Sequence, residues 1–268
     1  MDYLESYYDQ YDEEGRLLSQ HGQVEYITTQ KYIHEFLSGD REKKILEVGA
    51  GTGRYSVSLA REGYPVTAVE LIGHNLDKLR AKLDGTENIE TLQGNALDLS
   101  RFGDGSFDLT LLLGPMYHLY SREEKLRALS EAVRVTKSGG CVMVAYCMNE
   151  PTVVQYIFGG GHLREILDNH MVTDDWHCLS EPKDLFELIR PEEIAALDEA
   201  VGVERIKLVA ADGATNFMRP LIDAMDAWTF AKWVEYHLAV CERQDLIGAS
   251  HHTLDILKKK SRRKGTAL

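Results

Sequence analysis

The sequence predicts an α/β protein: a doubly wound, mostly parallel sheet of seven strands with helical lid and cap insertions. Three observations lead there. Strand and helix signals alternate from residue 43 to 147. The segment Ile45-Leu46-Glu47-Val48 runs into glycines at alternate positions, Gly49, Gly51 and Gly53, as a parallel strand does when it turns tightly at its carboxyl edge. Phe107–Leu113 is apolar almost throughout, which suits a strand covered on both faces.

Residues 1–40 have a helical pattern rich in tyrosine (Tyr3, Tyr7, Tyr8, Tyr11, Tyr26, Tyr32) and are expected to form an N-terminal lid. The core occupies 41–149. Its first strand is Lys44–Val48, and its first helix opens at Arg54 and ends near Gly63, with Pro65 as a stop. Strand two is Val66–Leu71. Asn75–Leu83 follows as a helix with Leu76, Leu79 and Leu83 on one face, and then strand three, Ile89–Gln93. Asp104-Gly105-Ser106 turns the chain into Phe107–Leu113. Ser121-Arg122-Glu123-Glu124 is a capping box opening a helix to about Thr136. That helix stops at Ser138-Gly139-Gly140, and strand five is Cys141–Cys147.

Beyond residue 150 the alternation fails. Residues 150–190, with Gly159-Gly160-Gly161, read as a cap insertion. Residues 191–212 return to the core as a helix (Pro191–Ala200) and a strand (Val203–Ala210), and 250–260 supply the last strand, His252–Leu257. Between them 213–249 forms a second cap with one long helix, about Arg219–Glu242. Its Trp228, Phe230, Trp233 and Tyr236 either line a pocket or pack the lid. Residues 261–268 form a basic tail.

At 268 residues the chain fits one domain with elaborations, and 44% hydrophobic content supplies its core. The net charge of −13 argues against a nucleic-acid partner. The run Lys258-Lys259-Lys260-Ser261-Arg262-Arg263-Lys264 holds six basic residues, and removing them takes the remainder to −19. Cys141, Cys147, Cys178 and Cys241 are scattered singly, as expected in a reducing compartment. The start Met1-Asp2-Tyr3-Leu4-Glu5 shows no signal-peptide core, and no apolar run approaches the ~20 residues of a membrane span. A cytoplasmic protein is expected. The histidines, including His251 and His252, show no ligand spacing, so no metal is assigned.

The glycine loop names the chemistry. A dinucleotide fingerprint needs its third glycine where Arg54 stands, and an acid two residues before the first glycine would repel a pyrophosphate. Glu47 suits a ligand carrying a cation. The pattern E-x-G-x-G-x-G resembles motif I of the class I S-adenosylmethionine-dependent methyltransferases of small-molecule type, with a methyltransferase-11-like, Rossmann-like domain. The segment 107–119 is similar to motif IV of that family, without the Asn- or Asp-Pro-Pro-aromatic signature of enzymes methylating exocyclic or amide nitrogens. Leu129–Gly140 resembles the helix-turn before strand five. The resemblance implies that Glu47, Gly49, Ala50, Gly51 and Gly53 wrap the methionine half of the cofactor. Glu70 and Leu71, ending strand two, then meet the ribose diol, a role the position of Glu70 also supports. Asn95 and Ala96 contact adenine, Asn95 replacing the usual acid. Leu113, Gly114 and His118 complete the wall, and Tyr11 reaches from the lid to the cofactor carboxylate. His118 is the candidate general base, since imidazole titrates near pH ~6.5, and Tyr117 shapes the pocket.

The expected function is methyl transfer from S-adenosylmethionine, leaving S-adenosylhomocysteine, to a nitrogen, oxygen or sulfur of a small-molecule acceptor. The sequence leaves two alternatives open: an NAD(P)-dependent oxidoreductase, and a catalytically silent S-adenosylmethionine-binding protein.

Overall fold

The computed structural model describes residues 3, 4, 6, 7, 15, 18–184 and 186–260. Helix α1 (Gln20–Leu37) starts at Ser19, whose hydroxyl accepts from Gly22 N–H. Strand β1 (Ile45–Val48) is buried at every position. It leads into α2 (Arg54–Arg61), β2 (Val66–Glu70), α3 (Gly73–Ala81), β3 (Ile89–Gln93) and β4 (Phe107–Leu112). A single 3₁₀ turn, Pro115–His118, precedes α4 (Arg122–Val135), whose N-terminus is the capping box of Ser121 and Glu124.

Strand β5 (Thr136–Met148) follows α4 at once. The chain then forms α5 (Asn149–Thr152), a π-helical turn (Val153–Gly159), α6 (Leu163–Asp168), β6 (Leu188–Ile189), α7 (Pro191–Val201) and β7 (Glu204–Ala210). The last elements are α8 (Arg219–Asp223), α9 (Ala227–Val240) and β8 (His252–Lys258).

The strands lie in the order β3-β2-β1-β4-β5-β8-β7, with β6 pairing β5 off this path. All pairings are parallel except those of β8, which runs antiparallel between β5 and β7. A βαβ crossover carries parallel strands the same way round, so the carboxyl ends of β1, β2, β4, β5 and β7 share one edge. An antiparallel strand begins where its neighbours end, so His252 lies at that edge too, opposite Cys147.

Alternate residues of the strands feed two faces. Leu46, Val48, Leu112, Val142 and Val144 pack with Ala128, Leu129, Ala132 and Val135 of α4 and Ile194 and Leu197 of α7. Ile45, Leu109, Leu111 and Met143 pack with Ile33 and Leu37 of α1 and Leu59 and Ala60 of α2. Each such buried aliphatic side chain contributes roughly 1.5–3 kcal/mol, enough together to hold the carboxyl edge rigid beneath the site.

Three expectations are corrected. The helix expected to about Thr136 ends at Val135, but Ser138-Gly139-Gly140, expected as its stop, falls inside β5. There Thr136 pairs Phe107 while Cys141 pairs Leu109, so a bulge absorbs the glycines, with Gly139 at φ 78°. The long helix expected over 219–242 is two helices, because the Asp226 side chain accepts from Thr229 N–H and starts a new one. An eighth, two-residue strand, Leu188–Ile189, joins the seven expected.

Candidate active site

A cavity of about 1750 Å³ opens over the carboxyl edge of the sheet. Glu47, Gly49, Ala50, Gly51, Glu70, Leu71, Asn95, Ala96, Leu113, Gly114 and His118 all line it, so the fold gathers nearly every residue the sequence singled out. Gly53 does not reach the wall. A Cβ there would lie 2.6 Å from Leu79 Cγ, and its φ of 85° turns the chain into α2, so it serves close packing of the helices. Tyr11 lies outside the described residues.

The three loop glycines all have positive φ. A Cβ on Gly49 would meet Pro115 Cδ at 2.5 Å, which ties the loop to the turn after β4. At Gly51 nothing lies within 4 Å of a Cβ, because its bare backbone faces the cavity. Glu70 braces this loop: its Oε2 accepts from Gly51 N–H at 2.7 Å and its Oε1 from Ile72 N–H at 2.9 Å. Burial pushes its carboxyl above the ordinary value, against the hydrogen bonds from Ile72, Gly51 and Asn75.

Glu47 is 2% exposed and accepts from the Ser56 hydroxyl. Its carboxyl is pushed up to about 8, first by burial, with the Ser56 bonds opposing and Glu70 adding to the rise. Two buried acids therefore stand at the loop with their negative charge suppressed, a donor set that a cationic ligand would stabilise. Arg54 stacks 4.3 Å over the Tyr26 ring and also lines the wall. Asn95 is exposed, and its Oδ1 accepts from Leu97 N–H at 2.9 Å.

The turn Pro115–His118 sets His118 with its ring 5.6 Å from Phe186, and Tyr117 with its ring 5.9 Å from His252. Trp228, Phe230, Trp233 and Tyr236 do not line the cavity. Trp228 is 72% exposed, and Trp233 Nε1 donates to Thr215 Oγ1 at 3.0 Å. Of the two readings of that aromatic run, pocket lining falls away. The residues of 213–249 that reach the wall are Asn216, Phe217 and Arg219.

The sequence reading missed a group at the far end of the cavity. Asp212, fully buried, holds the His252 ring through Oδ2–Nδ1 at 2.6 Å, and Glu25 Oε2 lies 3.6 Å from the same nitrogen. Burial opposes a charge on His252, but Glu25, Asp212 and Cys147 together raise its pKa well above the ordinary value. For Asp212 burial is likewise overcome, by His252 and by the Ser250 hydroxyl, so its carboxyl lies below the usual range. His251, in contrast, is pushed down to about 4, mainly by burial. The signal was present: an acid two residues past one strand end, and a histidine opening the final strand. It becomes visible only once β8 is known to be antiparallel.

No helix among the described residues is long and apolar enough to cross a membrane.

This strand order, with an acid near the end of β1 and a glycine loop after it, is the Rossmann-like fold of solved S-adenosylmethionine-dependent methyltransferases. Residues 46–144 match the family model for the methyltransferase domain. The chain is 32% identical over 109 residues to the demethylmenaquinone methyltransferase of Clavibacter sepedonicus, covering 41% of this chain and 43% of the relative. It is 26% identical over 162 residues to the ubiquinone biosynthesis O-methyltransferase of Acinetobacter baylyi, covering 59% and 66%. The matches thus span less than two thirds of these curated relatives. Among solved structures, a possible histamine N-methyltransferase from Thermotoga maritima aligns with a TM-score of 0.56 at 20% identity over 97% of this chain and 99% of that one. The 1,6-didemethyltoxoflavin-N1-methyltransferase of Burkholderia thailandensis, bound to its acceptor and S-adenosylhomocysteine, aligns at 0.56 and 15% identity, covering 97% and 86%.

Proposed function

We propose that the protein transfers the methyl group of S-adenosylmethionine to a small-molecule acceptor. The observation that carries this reading is the pair of buried acids, Glu47 and Glu70, at a bare-backbone glycine loop in one large cavity. S-adenosylmethionine supplies a methyl already activated on a sulfonium, so the protein has to hold, align and exclude water.

Glu47, with Gly49 to Gly51, receives the cationic methionine half, and Arg54 is placed to meet its carboxylate. The Glu70 carboxylate has acceptor capacity beyond its two loop amides and takes the ribose hydroxyls. Asn95 and Ala96 border the adenine, and Leu113 and Gly114 the floor. His118, beside Tyr117 and Phe186, orients the acceptor. Tyr7, Thr152, Gln155, Tyr156, Phe186, Asn216, Phe217 and Arg219 reach the same wall, and we assign them the role of a lid.

The volume supports two ligands. Small-molecule pockets run to about 300–1,000 Å³, and this cavity exceeds that range. Relatives named as O- and as N-methyltransferases both occur, so resemblance alone leaves the methylated atom open. Calorimetry with S-adenosylmethionine is the test. Saturable binding is expected, and no heat at millimolar cofactor overturns the reading.

A further inference from the structure

We propose that the imidazole of His252, held by the Asp212 carboxylate, receives the nucleophilic hydroxyl of the acceptor, so that the acceptor is a hydroxylated aromatic compound. This rests on the methyl-transfer reading and names its acceptor chemistry.

The geometry is that of an oriented base. Asp212 sits two residues beyond the end of β7 and is 0% exposed, so it cannot itself reach a ligand. Its two oxygens tie the His252 ring to Ser250, Asn216 and the His252 backbone. Oδ1 accepts from the Ser250 hydroxyl at 2.7 Å and from His252 N–H at 3.1 Å. Oδ2 accepts from Asn216 Nδ2 and from His252 Nδ1. Backbone bonds fix the same junction, with Ala211 N–H donating to His252 O at 2.9 Å. With Nδ1 engaged, Nε2 is the nitrogen left for a ligand, and it has no hydrogen-bond partner among the described residues. The His118 ring lies among aromatics, 6.3 Å from Tyr117 and 5.6 Å from Phe186.

The surroundings select the acceptor. Tyr117, Phe186 and Phe217 line the cavity around the two histidines, with the Tyr117 ring 5.9 Å from His252 and the Phe217 ring 5.5 Å from His251. These walls suit a flat ring. The groups facing His252 are Asp212 after β7, Glu25 on α1, Cys147 on β5, Tyr117 after β4 and the adjacent His251. Arg219 on α8 acts on His251 from the other side. Glu25 and Asp212 keep the His252 proton on the ring, so a phenolate oxygen at Nε2 would meet its counter-ion.

The step balances. The acceptor oxygen forms its bond to the methyl carbon as the carbon–sulfur bond breaks and its electron pair remains on sulfur. The hydroxyl proton goes to His252 Nε2 and from there to solvent. Free imidazole takes that proton, or imidazolium captures an acceptor that has already lost it; the bound pair is the same. The flanking carboxylates bring the imidazole closer to a phenol's own pKa near ~10, which strengthens it as a base.

The test uses the full chain saturated with S-adenosylhomocysteine and titrated with para-nitrophenol, at a pH below the probe's own ionisation. The phenolate absorption band is expected to appear and saturate. His252→Gln should reduce it by about tenfold or more while S-adenosylhomocysteine affinity, measured by calorimetry, stays as in the wild type. Asp212→Asn should keep the band but shift its pH midpoint, a change that mere structural support would not produce. Para-nitroaniline, the same ring bearing an amine, should bind at least tenfold more weakly. A band equal in His252→Gln and wild type, no band in the wild type, or equal binding of the aniline overturns the proposal. Loss of S-adenosylhomocysteine binding in His252→Gln alone would do so too, placing His252 in the cofactor site. Failure of the wild type to bind S-adenosylhomocysteine instead brings down the methyl-transfer reading itself.

Discussion

If S-adenosylmethionine is received at Glu47 as proposed, its binding should depend on pH. Its carboxyl is raised to about 8 by burial, with Glu70 adding to the rise and Ser56 opposing it. At pH 7 the neutral acid therefore outnumbers the carboxylate by about ten to one. If a cation must meet a carboxylate here, binding first ionises Glu47, at a cost of about 1.4 kcal/mol at pH 7 and about 2.7 at pH 6. Apparent affinity should climb about tenfold per pH unit up to about 8 and then level, with close to one proton released per ligand at pH 6 to 7. Calorimetry across pH 6 to 9, in paired buffers of different protonation enthalpy, reads both quantities. The cofactor's own α-amino group titrates near ~8 as well, so the readout is the difference between the wild type and Glu47→Gln. The variant should lose that part of the slope and that proton. Identical slopes in the two proteins would refute the reasoning.

Two further predictions concern the loop. Gly51→Val forces a branched residue to φ 53° and points its side chain into the cavity; cofactor affinity should fall at least about a hundredfold, since strain of this kind costs ~1–3 kcal/mol before any clash, and near-normal affinity by calorimetry would contradict the placement of the site. Glu70→Ala removes both the ribose acceptor and the brace on Gly51 N–H, so binding should weaken by roughly 1–3 kcal/mol. Glu70→Gln, which keeps one acceptor oxygen, should fall between the two, and an unchanged Kd for Glu70→Ala would sink the ribose assignment.

The core was legible because its signals are local. The run Ile45–Val48 with its glycines, the capping box at Ser121 and the Pro65 stop each state their structure within a few residues, and the strands they delimit appear within a residue or two. The half of the cavity walled by β1, β2 and β4 followed, since those glycines and Glu70 lie at strand ends that the βαβ rule brings to one edge. The far half was not legible. Asp212 and His252 are forty residues apart in sequence, and no local pattern joins them. Their meeting depends on the direction of β8, and alternation of apolar residues is the same for either direction. Helix α9 left two readings open for another reason: composition alone does not tell a pocket wall from lid packing, and the fold leaves Trp228 and Tyr236 exposed, away from the cavity. The break at Asp226 was missed because a capping aspartate reads as an ordinary surface acid until the backbone shows its partner.

The antiparallel strand also orders events during synthesis. β7 emerges from the ribosome before β8, yet its sheet partner is β8, whose other edge pairs β5, made more than a hundred residues earlier. Until β8 arrives, β5 presents a bare apolar margin and β7 has no strand to join, a condition that invites chaperones or misassociation. The half of the sheet built from β1 to β4 can gather its strands early, but the pocket wall at His252 is assembled last.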